Sequence, residues 1–263
     1  MNGAAGLLAA SVLADSAVEH YRGSFENRAM YVPLAMATLN VLVSGHGIGD
    51  RRSGAHALRG ASYVLGAITG LIGAGFHIYN VTKRPGGLSW INLFYGAPIG
   101  APIALLLSGV MGMAAERARG GPEVLRNTAN LSLGRVTAGA AAAGLLGTVG
   151  EAGLLHFRGA YHNPAMFLPV TVPPVAATLL GNAAYCGAGK DRWLTRWWLR
   201  LTAALGIVGT GFHLFGVARN MGGWGNWSQN VLNGPPIPAP PSFTGLALAG
   251  LAALRLLERR ADG

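Results

Sequence analysis

Four histidines are the residues best suited to chemistry in this sequence, because they recur as two pairs with one spacing. His20 and His77 in the first half reappear as His156 and His213 after a constant shift of 136 residues. Neutral imidazole is the commonest metal ligand among protein side chains. The repetition therefore predicts that these four histidines bind a metal ion or the iron of a haem.

Two carboxylates are related by the same shift of 136 residues, since Asp15 aligns with Glu151. Both are predicted to lie within membrane helices, where an ionisable group is costly unless it is paired or protonated and so marks a candidate functional site. Asp15 precedes His20 by five residues, which is about 140° around an ideal helix. We therefore expect Asp15 and Glu151 to handle protons or to support a ligand, and not to bind the metal directly.

The shift relates whole segments and not only single residues. The aligned segments are residues 20–25 with 156–161, 70–77 with 206–213 and, after a two-residue insertion, 96–99 with 234–237. Chance does not produce such a match. The sequence therefore predicts a first unit over residues 1–120, a cytoplasmic linker over 121–134 and a second unit over 135–263.

The composition predicts an all-α integral membrane protein. Apolar residues make up 51% of the chain and charged residues 11%, less than half the charged share of a typical soluble domain. The apolar blocks are long enough to cross roughly 30 Å of hydrocarbon. The predicted transmembrane helices are residues 3–22, 28–45, 58–80, 96–116, 136–157, 164–186, 197–217 and 242–258. The first block contains Asp15 and Glu19 and lacks a basic start, so we interpret it as a helix and not as a signal peptide.

Four spans per unit is an even number, so both units enter the membrane from the same side. This predicts parallel tandem repeats related by a pseudo-two-fold axis along the membrane normal. Of the 20 Lys and Arg residues, 14 fall on the side of the two termini, which the positive-inside rule makes cytoplasmic. All four histidines then lie near the outer, periplasmic face of a bacterial-type inner membrane.

The cysteine count and the net charge exclude some classes of site and partner. Cys186 is the only cysteine, which excludes an intramolecular disulfide and a cysteine-based zinc or iron–sulfur site. The net charge is +10, but the basic residues form no stripe with interleaved aromatics. We therefore expect the lipid bilayer as a partner and no nucleic acid.

The sequence does not decide whether the cofactor is haem b or a bare transition metal. Glycines precede both His77 and His213 in the pattern Gly-x-x-Gly-x-Gly-Phe-His, and glycine on a helix face lets a flat macrocycle approach the backbone. Arg22 and Arg158 then supply charges for the haem propionates. Close helix packing explains the glycines equally well, and His20 and His156 lie so near helix ends that little protein covers a ring. Iron, copper or zinc held by the histidines is the alternative.

These features predict a membrane redox subunit that passes electrons between a periplasmic partner and quinone, and the expected protein partners are this periplasmic protein or other membrane subunits. The alternatives are a non-haem metal-centred membrane enzyme, a metal or proton transporter, and a cofactor-free scaffold. The outer loops after His77 and His213 are long and rich in Gly, Trp and Asn, so we expect a lid or docking surface there. In the short outer hairpins, Gly23 and Gly159 are expected to be left-handed, and Asn27 and Asn163 to cap the next helix.

Overall fold

The computed structural model describes residues 1–96, 98–119, 133–187 and 192–259. Most of the predicted linker, residues 121–132, lies outside this part, as do Arg126, Lys190 and Arg260. Within it the chain is entirely helical, with ten α-helices and no strand. The helices are α1 (Asn2–Arg22), α2 (Tyr31–Gly49), α3 (Ala57–Thr82), α4 (Trp90–Tyr95), α5 (Gly100–Arg119), α6 (Leu133–Arg158), α7 (Leu168–Cys186), α8 (Trp193–Arg219), α9 (Trp227–Asn233) and α10 (Pro241–Arg259).

Six of these helices are long and apolar enough to cross a membrane, namely α2, α3, α5, α6, α7 and α8. Large apolar side chains on their surfaces face outward; Leu71 of α3 is 61% exposed and Ile207 of α8 is 67% exposed. Such surfaces are unfavourable in water and suit contact with lipid. The predicted α-helical membrane character is therefore confirmed. The short helices α4 and α9 in the outer loops were not predicted.

The helices α1 and α10 are not among the six, although both are long, and they lie at the centre of the packing. Helix α1 packs against α2, α5 and α10, while α10 packs against α1, α6 and α8. Ala5 and Leu8 of α1 and Leu246 and Ala247 of α10 are all buried in one apolar core. Small residues let the two backbones approach closely, as expected where packing and not water exclusion holds helices together.

Glycines on α3 and α8 serve close packing with the following long helix. A Cβ atom at Gly70 would lie 2.6 Å from the Pro102 carbonyl oxygen of α5, and one at Gly206 would lie 2.7 Å from the Pro240 oxygen. By contrast, Gly75 and Gly211 face open space, with nothing within 4 Å of such an atom. The glycines of the two motifs therefore have two different environments.

The outer hairpins differ from the prediction in one respect. Gly23 has φ −83°, and the left-handed residues are Ser24 and Phe25 in the first hairpin and Ala160 and Tyr161 in the second. A Cβ atom at Gly23 would lie 3.2 Å from the Met30 methyl group, a tight contact that a small shift of this flexible side chain would relieve. The predicted caps are confirmed: Asn27 accepts from Ala29 N–H and Asn163 from Ala165 N–H, both at 2.9 Å.

Candidate functional site

Each of the four repeated histidines uses its Nδ1 atom to bond a backbone carbonyl at the start of the next helix. The bonds join His20 to Met30 O (2.7 Å), His77 to Pro98 O, His156 to Met166 O (2.8 Å) and His213 to Pro236 O (2.7 Å). A carbonyl oxygen only accepts, so Nδ1 must carry the proton. In the neutral ring, Nε2 is then the unprotonated nitrogen, and it is free to bind a metal. Metal-ligating histidines are commonly oriented by this kind of bond.

The hairpins hold His20 and His156 in matching aromatic surroundings. The His20 ring meets Phe25 edge-on with centroids 6.1 Å apart, and Phe25 stacks on Tyr31 at 4.4 Å. In the second hairpin, His156 meets Tyr161 at 6.1 Å and Tyr161 stacks on Phe167 at 4.5 Å. The consecutive left-handed residues turn the chain back sharply enough to place each aromatic ring against the histidine. Ring orientation is therefore fixed on two sides, by the carbonyl and by the aromatic side chain.

The histidines are brought together in pairs within each half. His20 is close enough to His77 for their charges to interact, and His156 stands in the same relation to His213. All four are half-buried. The described residues contain no group of three or more His, Cys, Asp or Glu side chains placed to hold one metal ion. The arrangement is thus two pairs, and not one four-ligand centre.

The predicted carboxylates meet across the boundary between the halves. Asp15 of α1 and Glu151 of α6 are close enough for their charges to interact, with Glu19 nearby. Glu151 also accepts a hydrogen bond from the backbone N–H of Gly100, the first residue of α5. Carboxylates are stabilised at helix N-termini by the free N–H groups and the helix dipole. Two acidic groups from different halves therefore share one region, near the histidine level of α1 and α6.

The two hairpin arginines have different partners. Arg22 donates to Glu19 Oε1 at 2.7 Å. The Arg158 guanidinium lies over the rings of Phe94 (5.6 Å) and Tyr95 (5.3 Å) of α4. Arg22 thus stays on its own helix, whereas Arg158 joins the second half to the outer loop of the first.

The outer loops are folded around one buried asparagine each. The Nδ2 atom of Asn92 donates to Pro85 O (3.0 Å) and Gly87 O (2.8 Å). In the second loop, Asn230 Nδ2 donates to Met221 O (3.3 Å) and Gly223 O (2.7 Å). These bonds hold α4 and α9 against the loop segments that precede them. Asn92 and Asn230, two of the asparagines that enrich these loops, therefore have a structural role.

Sequence reasoning missed an ionic cluster at the opposite end of the first half, which we call the Arg59 cluster: Arg59, Asp50, Glu116, Arg119 and His46. Arg59 donates to both oxygens of Glu116 at 2.8 and 2.9 Å and to Asp50 Oδ2 at 2.7 Å. Its Nη1 also donates to His46 Nδ1 at 3.1 Å. Glu116 was the available signal, because a carboxylate inside a predicted span requires a partner.

The Arg59 cluster is electrostatically favourable. The Arg59 and Glu116 side chains are 2% and 4% exposed, and Arg119 Nε lies 3.4 Å from Glu116 Oε1. Hydrogen bonding from Arg59, aided by the backbone N–H of Arg52, lowers the pKa of Asp50 from its ordinary value to about 2. A guanidinium only donates, so His46 Nδ1 accepts and is unprotonated.

No protein-family model, curated protein or solved structure matches this chain. The candidate site therefore rests on its own geometry. That geometry consists of two histidine pairs with free Nε2 atoms, and of an acidic pair between the halves.

Proposed function

We propose that this chain is a membrane redox protein that holds one metal centre in each half. His20 and His77 supply Nε2 ligands to the first centre, and His156 and His213 supply them to the second. The observation that carries this proposal is the Nδ1–carbonyl bond made by all four rings. These bonds leave the Nε2 atom of each ring unprotonated, and the rings lie in two pairs whose charges interact. A protein ligand set of two imidazoles leaves coordination positions for a small molecule or an electron carrier.

A bare metal fits better than haem b beside His77. Gly70 and Gly73 lie on the same face of α3 as His77. Helix α5 packs against this face, because a Cβ atom at Gly73 would lie 3.2 Å from Pro102 Cβ. A flat macrocycle cannot occupy the same space. Haem would have to approach from the open side, next to Gly75 and Gly211. Imidazole ligands suit iron, copper and zinc, and the redox role restricts the choice to iron or copper.

We further propose that the chain spans the membrane eight times as two parallel repeats. Support comes from the lengths of α1 (21 residues) and α10 (19 residues), which are enough to cross with 1.5 Å per residue. It also comes from the packing: α1 contacts α10 and α5 contacts α6, as a two-fold axis between the units requires. With the arginine-rich end cytoplasmic, the histidine pairs face the periplasm, where a soluble partner would exchange electrons while quinone reacts in the bilayer.

Asp15 and Glu151 handle protons in this proposal. They come from facing helices of the two halves and interact with each other, so one proton shared between them would offset their repulsion. Their position also favours the alternative, a metal or proton transporter with the acidic pair as its coupling site. A non-haem metal enzyme would use the same pair as acid and base.

Elemental analysis with an absorption spectrum tests the proposal. The purified protein should contain two iron or copper ions per chain, with no Soret band. His77→Ala and His213→Ala should each lose one metal, and the double variant should lose both. His162→Ala is the matched control, because that ring is exposed and bonded to Gly159 O in its own hairpin. Metal-free protein, or full metal content in the double variant, would rule the proposal out, whereas a Soret band would replace the bare metal with haem.

A further inference from the structure

The first half contains a buried chain of polar side chains between its four long helices. Near the arginine-rich end, Ser44 Oγ lies 3.0 Å from Tyr63 OH, and Tyr63 OH donates to Asn2 Oδ1 at 3.4 Å. Ser44 is 1% exposed and Tyr63 is fully buried. Three helices, α1, α2 and α3, thus meet through hydroxyl and amide groups inside the membrane region.

A second group of buried polar side chains begins one helical turn before Ser44 on α2, at Asn40. Asn40 Nδ2 donates to Ser108 Oγ at 3.3 Å, and Ser108 Oγ donates to Ala5 O at 2.8 Å. Asn40 and Ser108 are both fully buried. The Oδ1 atom of Asn40 is buried without a hydrogen-bond partner. A buried amide oxygen of this kind is a place where a transient water can be held.

The polar chain begins at the Arg59 cluster. Tyr63 lies one helical turn beyond Arg59 on α3, and its hydroxyl is close enough to Glu116, Arg59 and Arg119 to feel their charges. Asp50 and His46 lie at the end of α2 on this side, and His46 is exposed to solvent, so water reaches the cluster. Polar groups therefore extend from solvent at this end to Asn40 in the interior.

The second half fills the same positions with apolar side chains. By the repeat alignment of the proposed architecture, the counterparts of Asn2, Asn40, Ser44, Tyr63 and Ser108 are Ala138, Ala176, Leu180, Leu199 and Leu246. All five counterparts are buried in the apolar core. The interhelical spaces also correspond, because a Cβ atom at Gly112 would meet the Tyr63 ring and one at Gly250 would lie 3.0 Å from Leu199 Cδ2.

Packing alone does not account for this difference between the halves. Leucine and alanine close the same helix interfaces in the second half, and hydrogen bonds between membrane helices contribute little net stability on average. Burying a polar group away from water is costly unless it is hydrogen-bonded, and a hydroxyl can both donate and accept a hydrogen bond, as a proton relay requires. The first half therefore carries polar groups that its fold does not require.

We propose that this polar chain is a proton path from the arginine-rich end into the membrane, directed toward Asp15. A proton taken from water at the Arg59 cluster passes along Tyr63 and Ser44, and a transient water held at Asn40 Oδ1 carries it on to Ser108. Each hydroxyl receives one proton and releases another, so no group changes its net charge after transfer. An apolar layer of Val12, Ala37 and Leu105, all nearly fully buried, separates this chain from Asp15. Transient water must enter that layer before a proton can reach Asp15, so the entry of water limits the rate of proton transfer.

Proton flux into vesicles tests the path. The purified full chain is reconstituted into liposomes containing the pH dye pyranine, and a potassium gradient with valinomycin drives protons inward. We expect wild-type flux several-fold above that of protein-free vesicles. Tyr63→Phe, which removes one hydroxyl and keeps the ring, and Ser108→Leu, which installs the side chain of Leu246, should each reduce flux to near the protein-free level.

The control is Thr202→Val in the second half. Thr202 is fully buried, but its hydroxyl donates to Trp198 O within its own helix, so its removal should leave flux unchanged. Wild-type flux no greater than that of protein-free vesicles, or equal flux in wild type and both path variants, would overturn the proposal. An equal loss in Thr202→Val would do the same, since it would show general leakiness of the fold. Metal content is measured separately, so failure here is distinguishable from failure of the metal centres.

Discussion

The carboxylate of Glu151 on α6 accepts a hydrogen bond from the backbone N–H of Gly100, the first residue of α5. A side chain from the second half thus closes the N-terminus of a helix in the first half. A Cβ atom at position 100 would collide with this carboxylate, so the contact requires glycine there. The same carboxylate faces Asp15, and the helix cap therefore fixes the position of the acidic pair.

Gly100→Ala should displace the Glu151 carboxylate from the start of α5. Loss of this charge-assisted bond should lower the stability of the folded protein by about 1–2 kcal/mol, seen as a lower melting temperature in detergent. Gly75→Ala is the control, because nothing lies within 4 Å of the added methyl group and alanine favours the helix. Equal melting temperatures for the two variants would contradict the role assigned to Gly100.

Ala160→Gly should stabilise the protein. Ala160 has φ 55°, a left-handed conformation that costs a residue with a Cβ atom roughly 1–2 kcal/mol and costs glycine almost nothing. The matched change Ala165→Gly lies in the right-handed turn Pro164–Phe167 and should lower stability. Thermal unfolding of both variants checks the sign; a lower melting temperature for Ala160→Gly would show that the methyl group has a packing role.

Glu116→Leu should be among the most damaging single changes, because it leaves the buried Arg59 with Asp50 as its remaining carboxylate. Removing one partner of a buried ion pair typically costs about 3–5 kcal/mol. Adding Arg59→Thr, which together with Glu116→Leu reproduces Thr195 and Leu254 of the second half, should recover most of the loss. Expression level and melting temperature report the result. A double variant no better than Glu116→Leu would show that the two halves do not pack alike at this end.

Asp50 should make the arginine-rich end sensitive to acid. Its pKa in the folded protein is about 2, below the ordinary value of 3.8, because Arg59 hydrogen-bonds the ionised form. Ionised Asp50 therefore stabilises the fold fully above the ordinary pKa, and this stabilisation is lost as pH falls from about 4 to about 2. Melting temperatures of wild type and Asp50→Asn at about pH 6 and about pH 1.5 should differ clearly at the higher pH and converge at the lower. A constant difference would contradict the assignment.

The sequence was informative wherever the signal is local or periodic. Apolar block lengths predicted membrane helices that agree with α3 and α6 within a few residues, since the thickness of a bilayer dictates helix length. The constant shift identified His20, His77, His156 and His213 as a set, and Asn27 and Asn163 as helix caps. It assigned the left-handed positions to Gly23 and Gly159, because glycine is the usual residue there, whereas the turn places the two following residues in that conformation.

Only the tertiary structure decided which residues meet. Spacing along a helix gives the face of a side chain but not the helix that lies opposite, so the separation into pairs, the Nδ1–carbonyl bonds and the contact of Glu151 with Gly100 were not readable beforehand. The same reason hid the Arg59 cluster, whose members come from α2, α3 and α5. Membrane helices reinforce this limit, because similar apolar surfaces face both lipid and neighbouring helices, and the choice of neighbour depends on close packing that single sequences do not encode.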